Sequence, residues 1–176
     1  MRKAPCTVLT RFPLVGADDT FLDTAARRYT HVVDIRASAR QVWDTLTADD
    51  ALVSWSPVIT AARWTTPRPF GAGTTREVTL GGVLCLDERF YRWEENSRMT
   101  FTVDTASVPG LRRFAEDLRL LPLGTGTRLV WTFALEGNPL LQPLLTAASP
   151  VNRLVTKSIA EGITRRVRAE SVGARR

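Results

Sequence analysis

Regular alternation of apolar and polar side chains begins at "YTHVVDIRA", residues 29–37. Val33 and Ile35 share one side with His31, and Asp34 and Arg36 take the other, which predicts a half-buried strand. Ser38 then opens "SARQ", where Gln41 can reach back to the cap, and Val42, Trp43 and Leu46 follow at helical spacing. That helix gives out in "TADD", and a second short turn carries Leu52, Val53 and Trp55 as far as Pro57, which stops it. Six strand-like stretches follow: "ITAARWT", "TTREVTL", "VLCLDERFYRW", "RMTFTVDT", "RFAEDLRLL" and "GTRLVWTFALEG". Their separators, among them "GG", "EENS", "SVPG" and "PLGTG", are too short for crossovers and predict an antiparallel meander. Asn138-Pro139 and then Ser149-Pro150 are helix starts, with Pro143 limiting the first. From Val151, the residues Leu154, Val155, Ile159, Ile163 and Val167 fall near one stripe, with Arg153, Lys157, Glu161, Arg165 and Arg168 mostly off it. Roughly 20 helical residues would span about 30 Å, enough to cross a small sheet.

Residues 1–28 show no sustained period and read as an N-terminal extension, and residues 171–176 as a basic tail. Between them, residues 29–170 are expected to form one domain, and the chain of 176 residues is long enough to bury a core. The formal net charge is +6, but its placement matters more. Residues 1–28 carry five basic and three acidic groups, residues 153–176 seven and two, and residues 29–152 twelve and thirteen. The excess sits at the ends, so no basic groove of the kind that holds nucleic acid is expected. No apolar run approaches the roughly 20 residues of a membrane span. Arg11 interrupts "CTVLTRFPLVGA", so a secretory leader is not read there and a cytoplasmic protein is expected. Cys6 and Cys85, the two cysteines, are expected to be free thiols.

One strand, two short helices, six antiparallel strands and a long closing helix describe an α+β helix-grip arrangement. The details agree with it. "IRASARQVWDTLTADDALVSWSPVI" resembles the opening of the START-like (SRPBCC) superfamily, in particular its polyketide cyclase/dehydrase and lipid-transport group. The matching positions are Ile35, Ala37, Val42, Trp43 and Trp55. "FGAGT" resembles that group's Gly-x-Gly-Thr entry to a strand, "EENSRMTFTV" its turn into the central hairpin, and "GTGTRLVWTF" its late strand. The resemblance spans about residues 29–169 and is carried by structural motifs, none of them a catalytic signature. It implies a seven-stranded, curved antiparallel sheet wrapped around the C-terminal helix, an apolar cavity between them, and the two short helices at one end. Trp43 would then anchor the first helix in the core, and Trp55 would stand near the cavity mouth.

Alternation selects the side chains that face such a cavity. Met99, Phe101 and Val103 fall together, as do Leu129, Trp131, Phe133 and Leu135. Phe114, Leu118 and Leu120 share a face with Glu116. If the aromatics after "LDE" point inward, Tyr91 and Trp93 do so together with Arg89. Glu116 and Arg89 either neutralise one another, orient a polar group of a ligand, or are left in water by a slip of parity. His31, the one histidine, shares the inward face of the first strand. The expected ligand-binding set is therefore His31, Trp55, Arg89, Tyr91, Phe101, Glu116, Trp131, Phe133 and Ile159. One histidine and two distant cysteines give no metal-ligand spacing, and no nucleotide-binding glycine motif is present, so neither metal nor cofactor is expected. The leading expectation is a protein that binds a small hydrophobic molecule, a lipid, polyketide or isoprenoid-like compound. The alternatives are a polyketide cyclase or dehydratase, with His31 or Glu116 as base and Arg89 or Tyr91 as oxyanion donor, and a protein-interaction or co-chaperone domain. The expected partner is the small ligand, with no nucleic acid and no integral membrane segment, and homodimer formation is left open.

Overall fold

The computed structural model describes residues 10–173, with side chains described as far as residue 170. The elements run β1 (Phe12–Pro13), α1 (Asp19–Thr24), β2 (Arg27–Ile35), α2 (Ala39–Leu46), β3 (Ile59–Trp64), β4 (Thr75–Leu80), β5 (Leu84–Glu94), β6 (Arg98–Ala106), β7 (Leu111–Leu123), β8 (Gly126–Gly137), α3 (Gln142–Ala147) and α4 (Ser149–Gly173). Seven antiparallel strands lie in the order β2-β8-β7-β6-β5-β4-β3, so the sheet is a meander closed at one end by the first strand of the core. The two-residue β1 pairs with β6 beside this path. Helix α4 lies on the concave face. This is the helix-grip architecture.

Local chemistry fixes the ends of the elements. Ser38 caps α2 with a full capping box: its hydroxyl accepts from the Gln41 N–H, and the Gln41 side chain accepts from the Ser38 N–H. The second short helix expected after β2 is instead a series of turns through residues 48–55. Leu52 interrupts it with a left-handed backbone at φ 68°, a conformation a regular helix cannot contain. The side chain of Leu52 is nevertheless buried in the core.

The concave face and α4 share one core. Val42, Trp43, Phe90, Phe101, Leu129, Trp131, Phe133, Ile159 and Ile163 are among its buried members. Trp43 packs edge-on to Trp93 at 5.2 Å, fastening α2 to the sheet. The predicted α4 stripe is buried only in part: Ile159, Ile163 and Val167 are inside, but Val151 and Leu154 are exposed. Apolar residues spaced by four drift about 40° per step on a 3.6-residue helix. By Val151 the stripe has therefore rotated away from the sheet. Ala160 and Thr156 complete the buried face instead.

The stretch expected as an extension carries structure of its own. Phe21 and Leu22 of α1 pack against Ala115 and Ala134 on the convex face. At the other end, α4 continues to Gly173, into the stretch expected as a tail. Cys85 is fully buried and disulfide-bonded, not the free thiol expected, and Cys6 lies outside the described residues.

Helix α4 approaches the turn at Trp55 too closely for a side chain at position 162. A Cβ on Gly162 would stand 2.6 Å from Trp55 Cδ1 and 2.9 Å from its carbonyl oxygen. Trp55 itself is held by its indole N–H, which donates to the Ile159 carbonyl at 3.2 Å. Gly162→Ala should thus lower stability by about 1–3 kcal/mol despite the better helix propensity of alanine. Chemical denaturation of the two proteins measures this, and equal or greater stability of the variant would contradict the close packing.

Candidate functional site: a cavity with a buried charged end

Between the concave face and α3–α4 lies a cavity of about 300 Å³. Its walls are mostly aliphatic and aromatic: Ile59, Val78, Leu80, Leu84 and Leu86 from β3–β5, Leu111, Phe114, Trp131, Phe133 and Leu135 from β7 and β8, and Leu141, Leu145, Val155 and Ile159 from the helices. Three charged side chains interrupt this lining, Arg76, Glu88 and Glu116. All three are buried, at 5%, 4% and 7% exposure.

Strand pairing puts these groups together. Arg76 on β4 lies directly across from Glu88 on β5, and its Nε and Nη2 both reach Glu88 Oε2 at 2.7 Å. The guanidinium also stacks among rings, with its carbon 4.9 Å from the centre of Trp64, 5.2 Å from Phe90 and 5.5 Å from Phe101. The aromatic surroundings thus add cation–π attraction to the ion pair. Glu116 on β7 pairs with Phe101 on one side and Phe133 on the other, which centres it in the concave face. Its Oε2 accepts from the Trp131 indole N–H at 2.7 Å. The second oxygen makes no hydrogen bond among the described residues.

Burial pushes the Glu116 carboxyl well above its ordinary value of 4.5, and the neighbouring Glu88 charge pushes it further, against the weaker pull of Trp131 and Arg76. Burial also raises Glu88, but there the Arg76 cation and its hydrogen bonds hold the shift back. The two carboxyls face one cation. Glu88 takes it, which tilts Glu116 toward its protonated form.

The structure separates the sequence-selected residues into three groups. Glu116, Trp131, Phe133 and Ile159 line the cavity. Phe101, Trp55 and His31 stand behind its wall. Phe101 lies under the Arg76 guanidinium, and Trp55 is buried against α4. His31 is half-buried, its Nε2 2.8 Å from the Thr156 hydroxyl, and Thr156 is the residue that reaches the cavity. Burial lowers the His31 pKa, and Arg153 lowers it further.

Arg89 and Tyr91 are the corrections, since both lie on the convex face. Arg89 forms a bidentate pair with Asp104, both contacts 2.8 Å, and is substantially exposed. The Tyr91 hydroxyl donates to Asp19 of α1 at 3.2 Å. The cause is a β-bulge: Phe90 pairs with Phe101 and Arg92 with Thr100, so Tyr91 is an extra residue. Counting back by two from Trp93 therefore fails, and Glu88 and Phe90 take the inward places. Arg76 and Glu88 were missed, although both share an alternation face with apolar residues: Arg76 with Val78 and Leu80, Glu88 with Leu84 and Leu86. Among the described residues no three His, Cys, Asp or Glu side chains are grouped to hold a metal ion.

Comparison with known proteins agrees with this geometry. The family model described as "Polyketide cyclase / dehydrase and lipid transport" matches residues 26–168. The chain belongs to that family. An uncharacterized protein of Mycobacterium tuberculosis is 33% identical over 154 residues, covering 88% of this chain and 92% of that one. Among solved structures, a protein of Thermus thermophilus superposes with a TM-score of 0.70 at 20% identity, covering 82% of this chain and 99% of that one. A START superfamily protein of Mycobacterium smegmatis gives 0.65 at 16% identity, covering 81% and 97%. These two likenesses establish the fold. In this member of the polyketide cyclase/dehydrase and lipid-transport family the cavity carries the trio Arg76, Glu88 and Glu116.

The trio makes a linked prediction about pH and stability. The folded protein holds a proton on Glu116 that the unfolded chain releases near 4.5. Above that pH the folded state binds more protons than the unfolded one. This contribution to stability is therefore full below the ordinary value and is lost as pH rises through the raised one. Glu116→Gln removes the titration while keeping an acceptor for Trp131, so its melting temperature should fall less than the wild type's between mildly acidic and mildly alkaline buffer. Glu88→Gln should instead cost about 3–5 kcal/mol at neutral pH, because it leaves the Arg76 cation buried without its partner. Identical pH slopes for wild type and Glu116→Gln would contradict the assignment of the proton.

Proposed function

We propose that this protein binds a small hydrophobic molecule, of lipid, polyketide or isoprenoid type, in the cavity between the sheet and α4. The observation that carries this reading is the cavity itself: a partly open space of about 300 Å³, walled mostly by aliphatic and aromatic side chains with a few polar groups among them. That size and lining suit a small organic ligand. The family description, which names both polyketide cyclisation and lipid transport, supports the same class of ligand. No helix among the described residues is long and apolar enough to cross a membrane. Nucleic acid has no part in this reading, and a single chain supplies the whole cavity, so a homodimer is not required for it. The cytoplasmic placement expected from the broken apolar stretch at Arg11 meets one opposing observation, the bonded state of Cys85, which favours an oxidising compartment.

A second reading, a cyclase or dehydratase, is favoured by one feature. Glu116 presents to a mostly apolar cavity a carboxyl that burial pushes well above its ordinary value, which is the direction a general acid needs. Arg89 and Tyr91 drop out of that chemistry through their outward positions. His31 would act only through Thr156.

Two measurements test these readings. Titration with a neutral apolar ligand should change tryptophan emission saturably at one ligand per chain. The change should disappear in Trp131→Phe, while binding measured by calorimetry persists. Ile159→Phe should weaken binding by filling the space. Absence of saturable binding, or binding indifferent to Ile159→Phe, would remove the cavity from the function. If the protein is a catalyst, Glu116→Gln should abolish turnover of a bound polyketide-like substrate with little change in affinity, since a lost proton donor acts on the transition state.

A further inference from the structure

The charged end of the cavity has a consequence for which molecules can enter, and it rests on the ligand-binding reading above. Arg76 is the one basic side chain among the described residues lining the cavity, against two acidic ones, Glu88 and Glu116. Its Nε and one terminal nitrogen are both engaged by Glu88 Oε2, and its plane lies among the rings of Trp64, Phe90 and Phe101. The charge that would ordinarily receive a ligand's carboxylate is thus already balanced by Glu88. Glu116 is more than nine-tenths buried, lines the cavity and has one oxygen unpartnered among the described residues, the other accepting from Trp131.

We propose that the cavity selects an apolar molecule bearing one uncharged oxygen, a ketone or hydroxyl, placed against Glu116, and turns away molecules whose polar end is a carboxylate. The selection follows from charge and hydrogen-bond accounting. Glu88 balances Arg76, and a proton on Glu116 brings the buried set to neutrality. A ketone or hydroxyl oxygen accepts that proton's hydrogen bond and leaves the balance unchanged. A carboxylate introduces a second anion beside Glu88 with no second cation on the wall, in surroundings where an unpaired charge is strongly penalised. Even against the remaining Arg76 N–H donors it leaves two anions on one cation, unless it takes up a proton itself. The site thereby distinguishes a neutral lipid-like or polyketide-like molecule from a free fatty acid of the same length, a discrimination that apolar walls alone cannot make.

The test uses the full chain and two probes of equal chain length, decanol and decanoate, titrated calorimetrically at neutral pH below the concentration at which either self-associates. Decanol should bind at one molecule per chain and decanoate at least tenfold more weakly. In Glu88→Gln, which frees the Arg76 cation for a ligand's carboxylate, the gap should narrow through tighter decanoate binding, whereas in Glu116→Gln, neutral and a donor like the protonated acid, it should persist. Ile159→Phe should weaken decanol and decanoate alike, which ties any binding to this cavity. Decanoate binding as tightly as decanol, or a gap that collapses in Glu116→Gln, overturns the selection while leaving the cavity a ligand site. Failure of both probes to bind overturns the ligand-binding reading, and this selection with it.

Discussion

A single buried guanidinium shared between two carboxyls governs the interior of this protein. Arg76 is held by Glu88 across a strand pair and by three aromatic rings around its plane. A charge so placed is tolerable only while its partner stays in position. The same pairing decides the state of Glu116, which has an indole N–H but no cation of its own. The cavity therefore has an apolar body and one end whose charges balance only when Glu116 is protonated. Its capacity for a hydrophobic molecule, its fitness as a proton donor and its preference among polar ends follow from that one arrangement.

The fold supplies the arrangement through the curvature and irregularity of the sheet. A flat meander would leave the concave groups in water. Here α4 crosses the concave face closely enough that position 162 admits no side chain beside Trp55. Two register shifts in the β5–β6 pair, at Asp87/Glu88 and at Phe90/Arg92, set which residues of β5 face inward. The second places Tyr91 and Arg89 against Asp19 and Asp104 outside, while Glu88 and Phe90 face the cavity. Bulges bend and re-aim a strand, and here one of them separates the buried charges from the exposed ones.

Much of the architecture was legible in the sequence, because it is written in periodicity. The meander, the Ser38 capping box and the closing helix all follow from local spacing. So does the inward side of β7 and β8, where Glu116, Trp131 and Phe133 obey simple alternation. Legibility failed where the period changes. A bulge leaves no mark that composition can show, so Arg89 was placed with Trp93 and Glu88 was overlooked. Arg76 was passed over because a lone arginine in an alternating strand reads as solvent-facing, although it shares its face with Val78 and Leu80. Four-residue spacing in α4 concealed a rotation that exposes Val151 and Leu154. Neither the pairing of Arg76 with Glu88 nor the resulting proton on Glu116 could be read from one strand alone, since both depend on which strands become neighbours.

The central claim is that Glu116 holds a proton inside the folded protein at neutral pH, and carbon NMR of protein labelled at the glutamate side-chain carboxyls tests it most directly. One carboxyl signal, assigned to Glu116 by its loss in Glu116→Gln, should remain at the protonated position through neutral pH. A Glu116 signal already at the ionised position at neutral pH would contradict the account.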